Sequence, residues 1–553
     1  MKLTISGNQV VLPADAKISI EKSSPFSGDD TGSFSYPFPV PTLPNQQLLG
    51  WPGKLQRIGD VPAQAFILED SGLQVFRGEV DYEDITSREI GVILKSGFTE
   101  FYKKMEGKML GDIDFGSESW PIAVSSSVNL TAINAKMAEW NNANSTDNGK
   151  YVLSQFIIKM IYATGDLYVN KFFHTTGANG IRFLFNGSGY YYASYCLQFR
   201  VHFLIRKIFE SAGYTIAGEV LSQSPFFNKL VIFSNILTIC AIGNVSITPA
   251  INTLQYATLM PEIEVLAFLD SFKNMFCLMY EIDERKKEVR IKFKKDIFLA
   301  ENLDPVNIPE LTGWVHKEQK SKKGFTLKYA AQENELDTYA DFPNMIEIMP
   351  VLPEPTEESK IYLSSFGRYY ITINNDGVLQ WQEVGRLREV SEGTGENVAE
   401  IEAKVPPQKA YIIQSGVNEW SEECPVFNTI FRDGKENITI IPYFAITLYH
   451  GIKTYDGVSI PYASFDRYSL DGTIDTGISL KPAYLYPNFW EAFLSWQTYR
   501  ARPFTKYISL SLSQVLALQW GKRYNINGTE VILDKINFEL PHYGTVKIDG
   551  YTS

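Results

Sequence analysis

Two charged turns and a few clustered carboxylates are the places where this sequence could do chemistry. Asp283-Glu284-Arg285-Lys286-Lys287 joins two short apolar runs, and Lys317, Lys320, Lys322 and Lys323 crowd a second link. A basic turn of this kind is either a solvated hairpin tip or a contact for an acidic partner or nucleic acid. Arg285, Lys286, Lys287, Lys320, Lys322 and Lys323 are therefore the candidate partner contacts. Glycoside hydrolysis needs two carboxyl groups flanking one bond. Asp81, Glu83 and Asp84 lie close together in one segment, and Glu422 and Glu423 stand near Trp420. Such pairs usually come from separate strands, and acidic clusters on loops are ordinarily solvated surface. No catalytic residue is assigned.

Other chemistries lack their residues. His174, His202, His316, His450 and His542 show no metal-ligand spacing with one another or with cysteine, so neither a metal nor a cofactor is expected. Gly393-Thr394-Gly395 is flanked by Glu392 and Glu396, whose charges would repel a phosphate, and no Lys-Ser/Thr follows. There is no Gly-x-Ser-x-Gly elbow. Cys196, Cys240, Cys277 and Cys424 are widely spaced in apolar surroundings and read as buried free thiols. Lys+Arg 51 against Asp+Glu 63 leaves a net charge of -12, which argues against a protein built to grip a phosphate backbone.

The scaffold for these residues is large. At roughly 150 residues per domain, 553 residues imply three or four packed units. Hydrophobic residues at 44% and charged residues at 21% exclude a disordered chain. Aromatics at 14% favour half-buried pleated surfaces and interfaces. The start shows no apolar signal core, and the longest apolar stretch, Leu230 to Ile242, is too short to span a bilayer. A soluble protein made in a reducing cytoplasm is expected.

Periodicity places the elements. In GSFSYPFPVP, Phe34, Tyr36, Phe38 and Val40 fall on one face of an extended segment whose prolines make it an edge or a strapping arm. Two apolar runs around Asp70-Ser71-Gly72 read as a hairpin, followed by the strand IGVILKSG and a short helix in FTEFYKKMEGKML. Leu197, Val201, Leu204, Ile205 and Ile208 mark a helix over 195–210 with Gly213 as its cap. A second helix is expected from Pro261, burying Val265, Leu269 and Phe272. It runs into a hairpin setting Leu278, Tyr280 and Ile282 opposite Val289, Ile291 and Phe293. TGWVHKEQKSKKGFTLKYA reads as two strands around a basic turn, RYYITINNDGVLQWQEVG as a hairpin, and REVSEGTGENVAEIEAK as an exposed loop. PNFWEAFLSWQTYRARP reads as a helix with Phe489, Phe493 and Trp496 on one face, between strands of a last sheet that turns at Asn527-Gly528.

The order of several phrases resembles that of bacteriophage tail hub proteins of the tail tip or baseplate. The phrases are KISIEKSSPF, GSFSYPFPVPTLPNQQLLGWPGKLQR, the Asp-Ser-Gly hairpin with Gly78, FLIRKIFESAGYTI, LMPEIEVLAFLDSFKNMFCLMYEIDERKKEVRIKF, and INGTEVILDKINFEL with HYGTVKIDG. The resemblance implies a β-rich α+β, multidomain chain with small tail-tube-like β-barrel domains, inserted helices and helix–hairpin units. Read along its length, the chain divides into an N-terminal β domain (1–116), a loop-rich β insertion (117–194), a helix and helix–hairpin domain (195–300), a second β domain (301–394), an insertion or peripheral β domain (395–480) and a C-terminal part (481–553) that would complete a barrel; residues 117–190 and 395–480 lie outside the resemblance. The resemblance also implies a homotrimer in the virion that caps the tail tube, meets distal tail proteins, holds the spike or fibre protein, and lets DNA pass through its lumen. Two other readings stay open: a receptor- or carbohydrate-binding tail protein using FNGSGYYYASY, and a cell-wall glycoside hydrolase.

Overall fold

Ile90, Val92 and Leu94 alternate with Gly91, Ile93 and Lys95, and the strand Glu89–Ser96 buries the first set completely. The computed structural model describes residues 1–26, 32–50, 64–119, 149–154, 191–218, 220–223, 225–234, 238–242, 253–283, 285–317, 324–330, 398–407, 444–455, 458–464 and 478–553. It also describes residue 354 and strands at 156–160, 167–169, 172–175, 178–181, 184–185, 347–349, 361–364, 369–375, 378–385, 389–392, 410–415, 420–432 and 438–440. The chain is β-rich, with several sheets and few helices.

The two ends of the chain build one sheet. Gln64–Asp70 and Leu73–Glu83 form the expected hairpin, turned by Ser71 and Gly72 at φ 52° and 79°, the paired positive angles of a type I′ turn. Leu73–Glu83 then pairs with Glu89–Ser96. A Cβ on Gly78 would sit 2.0 Å from the Lys95 carbonyl oxygen, so this crossing admits only glycine. Ile18–Ser23 pairs antiparallel with Thr529–Leu540, setting Ile20 opposite Phe538. Thr545–Thr552, Pro503–Ser509 and Val315–His316 follow in order. The resulting 14-stranded sheet runs from Asn8–Gln9 to Val315–His316 without closing on itself, and no sheet among the described residues closes into a barrel. Its inner face carries one core, including Leu68, Val92, Ile536 and Ile548.

A second core gathers the helices. Leu197, Val201, Leu204, Ile205 and Ile208 are all buried, but the helix is Val201–Ser211 rather than 195–210. Gln198–Arg200 instead forms a strand between Tyr151–Val152 and Leu230–Ser234. Gly213, at φ 85°, ends the helix by donating its N–H to the Glu210 carbonyl at 2.9 Å. The helix expected from Pro261 is Val265–Phe276 and does not start at that proline. The Ile263 carbonyl accepts from Leu110 N at 2.9 Å and the Ile263 N–H donates back to the Pro261 carbonyl at 2.9 Å, so residues 261–263 make a tight bend instead of a first helical turn. Cys277, in the left-handed conformation at φ 49°, turns the chain into Leu278–Asp283 and Glu288–Phe293. Their register is the expected one, Leu278 on Phe293, Tyr280 on Ile291 and Ile282 on Val289. Phe209 meets Tyr280 edge to face at 5.7 Å, so the first helix covers this hairpin. Phe489, Phe493 and Trp496 are buried along Tyr486–Trp490, a π-helical turn, and the helix Glu491–Tyr499.

Other expectations are corrected. The alternation in 32–41 reverses at Pro37: Ser33, Ser35, Phe38 and Val40 are buried while Tyr36 faces solvent. Val315–His316 and Gly324–Tyr329 do not pair with each other. The first joins Pro503–Ser509, and the second lies between Glu389–Glu392 and Val398–Ala403. The supposed exposed loop at 388–404 thus contributes two strands, and its central residues 393–397 lie outside the described ones. Strands also occupy much of the described part of 117–194. Tyr369–Asn375 and Val378–Gly385 form their hairpin as expected.

Burial pushes the Cys196 and Cys277 thiols up to about 12, so neither supplies thiolate at neutral pH. A thiol reagent should therefore titrate at most two of the 4 cysteines in the native protein and all of them in guanidinium. Rapid native labelling of Cys277 would contradict this packing.

Candidate interaction surfaces

The charged turn after Leu278–Asp283 is built on one carboxylate. Asp283 Oδ1 accepts the backbone N–H groups of Arg285 at 3.1 Å and Lys286 at 3.2 Å. Arg285 and Lys286 are exposed, and the Arg285 guanidinium donates to the Leu516 carbonyl at 3.1 Å. A cleft of about 270 Å³ lies between this turn and residues 515–520, where Lys22, Arg285, Lys286 and Arg290 face Glu281 and Asp283. Lys320, Lys322 and Lys323 lie outside the described residues. Lys317 beside them is exposed and pairs with Asp549 at 2.5 Å.

Lys287 points the other way. Its ammonium donates to Glu100 and lies 4.8 Å from the centre of the Tyr214 ring. Glu100, 3% exposed, also accepts from Lys104 at 2.9 Å and from the Tyr214 hydroxyl at 3.1 Å. Burial alone would raise the Glu100 carboxyl, but hydrogen bonds from Lys104 and Lys287 outweigh it and hold the group below its usual range. This cluster ties the helix Phe98–Met105 to the hairpin. Sequence spacing gives no hint of it, because residues 100 and 287 are far apart in the chain.

The outer face of the large sheet carries a groove of about 780 Å³. Register aligns Glu21 with Asn537, Asn537 with Lys547, and Lys547 with Tyr507 across four neighbouring strands. Tyr36 extends this row, its hydroxyl donating to Glu21 at 2.8 Å. The next row holds Lys535 and Asp549; Lys535 pairs with Glu21 at 3.3 Å. Tyr36, Tyr507 and Tyr543, all lining the groove, are 46%, 43% and 83% exposed. Asn537 Oδ1 is covered and accepts no hydrogen bond among the described residues. The alternation Lys535, Asn537, Glu539 was a legible sign of an outward polar face, but its strand neighbours were not.

The carboxylates considered for catalysis are differently placed. Asp81 lies 2.5 Å from Lys95 and 2.9 Å from Lys103. Burial acts to raise its carboxyl, yet hydrogen bonds from both lysines keep it below the usual range, the wrong direction for a general acid. Glu83 and Asp84 are exposed. Glu422 and Glu423 occupy Trp420–Arg432, with side chains outside the described ones. His202 is buried, and His542 Nε2 lies 2.7 Å from the Leu510 carbonyl oxygen. Among the described residues no three His, Cys, Asp or Glu side chains gather as a metal site, and no helix is long and apolar enough to cross a membrane.

No family model and no curated protein matches the chain. Among solved structures, the 43 kDa tail protein of prophage MuSo2 from Shewanella oneidensis is similar with a TM-score of 0.34 and 8% identity, covering 100% of this chain and 95% of that one. A likeness at that score is too loose to carry an argument.

Proposed function

We propose that the chain is a structural protein of a bacteriophage tail, acting as a trimeric hub at the tail tip or baseplate. In this reading it caps the tail tube, contacts distal tail proteins, and holds the spike or fibre protein. DNA passes through its lumen without being gripped, as an acidic chain allows. One observation carries the reading. The hub-like phrases at opposite ends of the sequence, KISIEK and DKINFEL, form adjacent antiparallel strands, Ile18–Ser23 and Thr529–Leu540. The helix–hairpin at 265–293 supplies the unit that such proteins repeat.

The role is mechanical, with no catalytic residue. Release of sugars from purified peptidoglycan, abolished by one Asp or Glu substitution, would overturn that part. Association is tested by light scattering at micromolar concentration, which should give about three times 62.6 kDa. The aromatic load at 14% is available for such interfaces. A single-chain mass that persists when tail tube is added would count against the trimer.

A further inference from the structure

The groove on the outer face of the large sheet has its own chemistry, independent of any role in a tail. Its four floor strands are each hydrogen-bonded on both sides, so no backbone edge is offered to an added peptide strand. What a ligand meets is side chains alone. Three lysines there face four carboxylates, and two of the lysines are already paired, Lys535 with Glu21 and Lys317 with Asp549. Such a surface has little net field to draw a polyanion or a polycation. It is also no continuous apolar patch, because the Tyr36 and Tyr507 rings stand at opposite ends of a polar row.

We propose that this groove binds a neutral oligosaccharide. A pyranose presents C–H groups on one face and hydroxyls around its rim. Exposed tyrosine rings suit the first, and carboxylates and an amide suit the second. Four strand spacings of about 4.8 Å separate Tyr36, which follows Ser33–Ser35, from Tyr507, roughly the span of four linked sugar rings. The volume of about 780 Å³ lies within the range of sites for ligands of that size. Asn537, half-buried at the centre of the row, lines the floor of the groove, and its covered Oδ1 accepts no hydrogen bond among the described residues. Tyr543, 83% exposed at the rim, adds a third ring.

The test uses the full chain in saturation-transfer NMR against neutral oligomers of glucose, galactose and N-acetylglucosamine, with heparin as the polyanion control. At least one neutral series should receive saturation. Tyr507→Ala should weaken its binding by about fivefold to tenfold, what one ring contributes, while Tyr507→Phe keeps it. Asn537→Ala should weaken it similarly, with near-ultraviolet dichroism confirming native packing in each variant. Tyr543→Ala, at an exposed site, gives a second reading that folding defects do not reach. Saturation of no neutral series, response to heparin alone, or equal binding by all variants would overturn the proposal. So would a change in oligomeric mass in Tyr507→Ala without loss of sugar, which would make the groove a seat for a second copy. A ring with an inert groove, or a monomer that binds sugar, separates this proposal from the tail reading.

Discussion

Leu269→Ala should destabilise the protein by about 2–5 kcal/mol, the range for removing a buried leucine from a packed core. Leu269 is 2% exposed in Val265–Phe276, and its carbonyl accepts the Tyr280 hydroxyl at 3.0 Å. The side chain is therefore enclosed where the helix meets its own hairpin, and a cavity there cannot fill from solvent. Replacing Arg285 and Lys286 together by serine should change stability by no more than about 0.5 kcal/mol, as at most exposed positions. Urea unfolding of both variants measures the contrast. If the turn also docks the tube or spike, the double change will spare folding and weaken co-sedimentation with those partners. Equal stability losses at the two sites would mean the faces of helix and hairpin are wrongly assigned.

The second large effect belongs to Glu100. Removing one partner of a buried, hydrogen-bonded charge cluster leaves the others unmatched, so Glu100→Gln should cost about 3 kcal/mol at pH 7. The pH dependence has a definite sign. The folded carboxyl titrates below its unfolded value of about 4.3, so its contribution is complete above that value and disappears as pH falls through the folded one. The gap between wild type and variant should thus be constant from pH 7 to about 5 and shrink below about 4. Denaturant midpoints across that range test it. A gap unchanged at pH 3, or no gap at pH 7, would remove Glu100 from the account.

Local signals were legible and distant ones were not. The turns at Ser71-Gly72 and Asn527-Gly528 and the register of Leu278–Asp283 on Glu288–Phe293 follow from residues within a few positions of one another. Helix starts slipped where a competing pairing took the residues, as Gln198–Arg200 did, or where Pro261 led a tight bend instead of a first helical turn. Pro37 reversed a face that alternation alone would have carried through. Neighbouring strands at 315 and 324 went to different sheets, since nothing in a short basic link dictates pairing. The groove was hidden for a simpler reason: Glu21 and Lys535 are 514 positions apart. Of the basic residues singled out, Arg285 and Lys286 are exposed and Lys287 turns inward to Glu100.

The trimeric hub is tested most directly by negative-stain imaging of the purified full chain, alone and mixed with tail tube. Class averages should show a three-fold ring with an open centre, seated on the end of the tube when tube is present. Single copies in both preparations, or copies attached only at the periphery of the tail, would contradict the account.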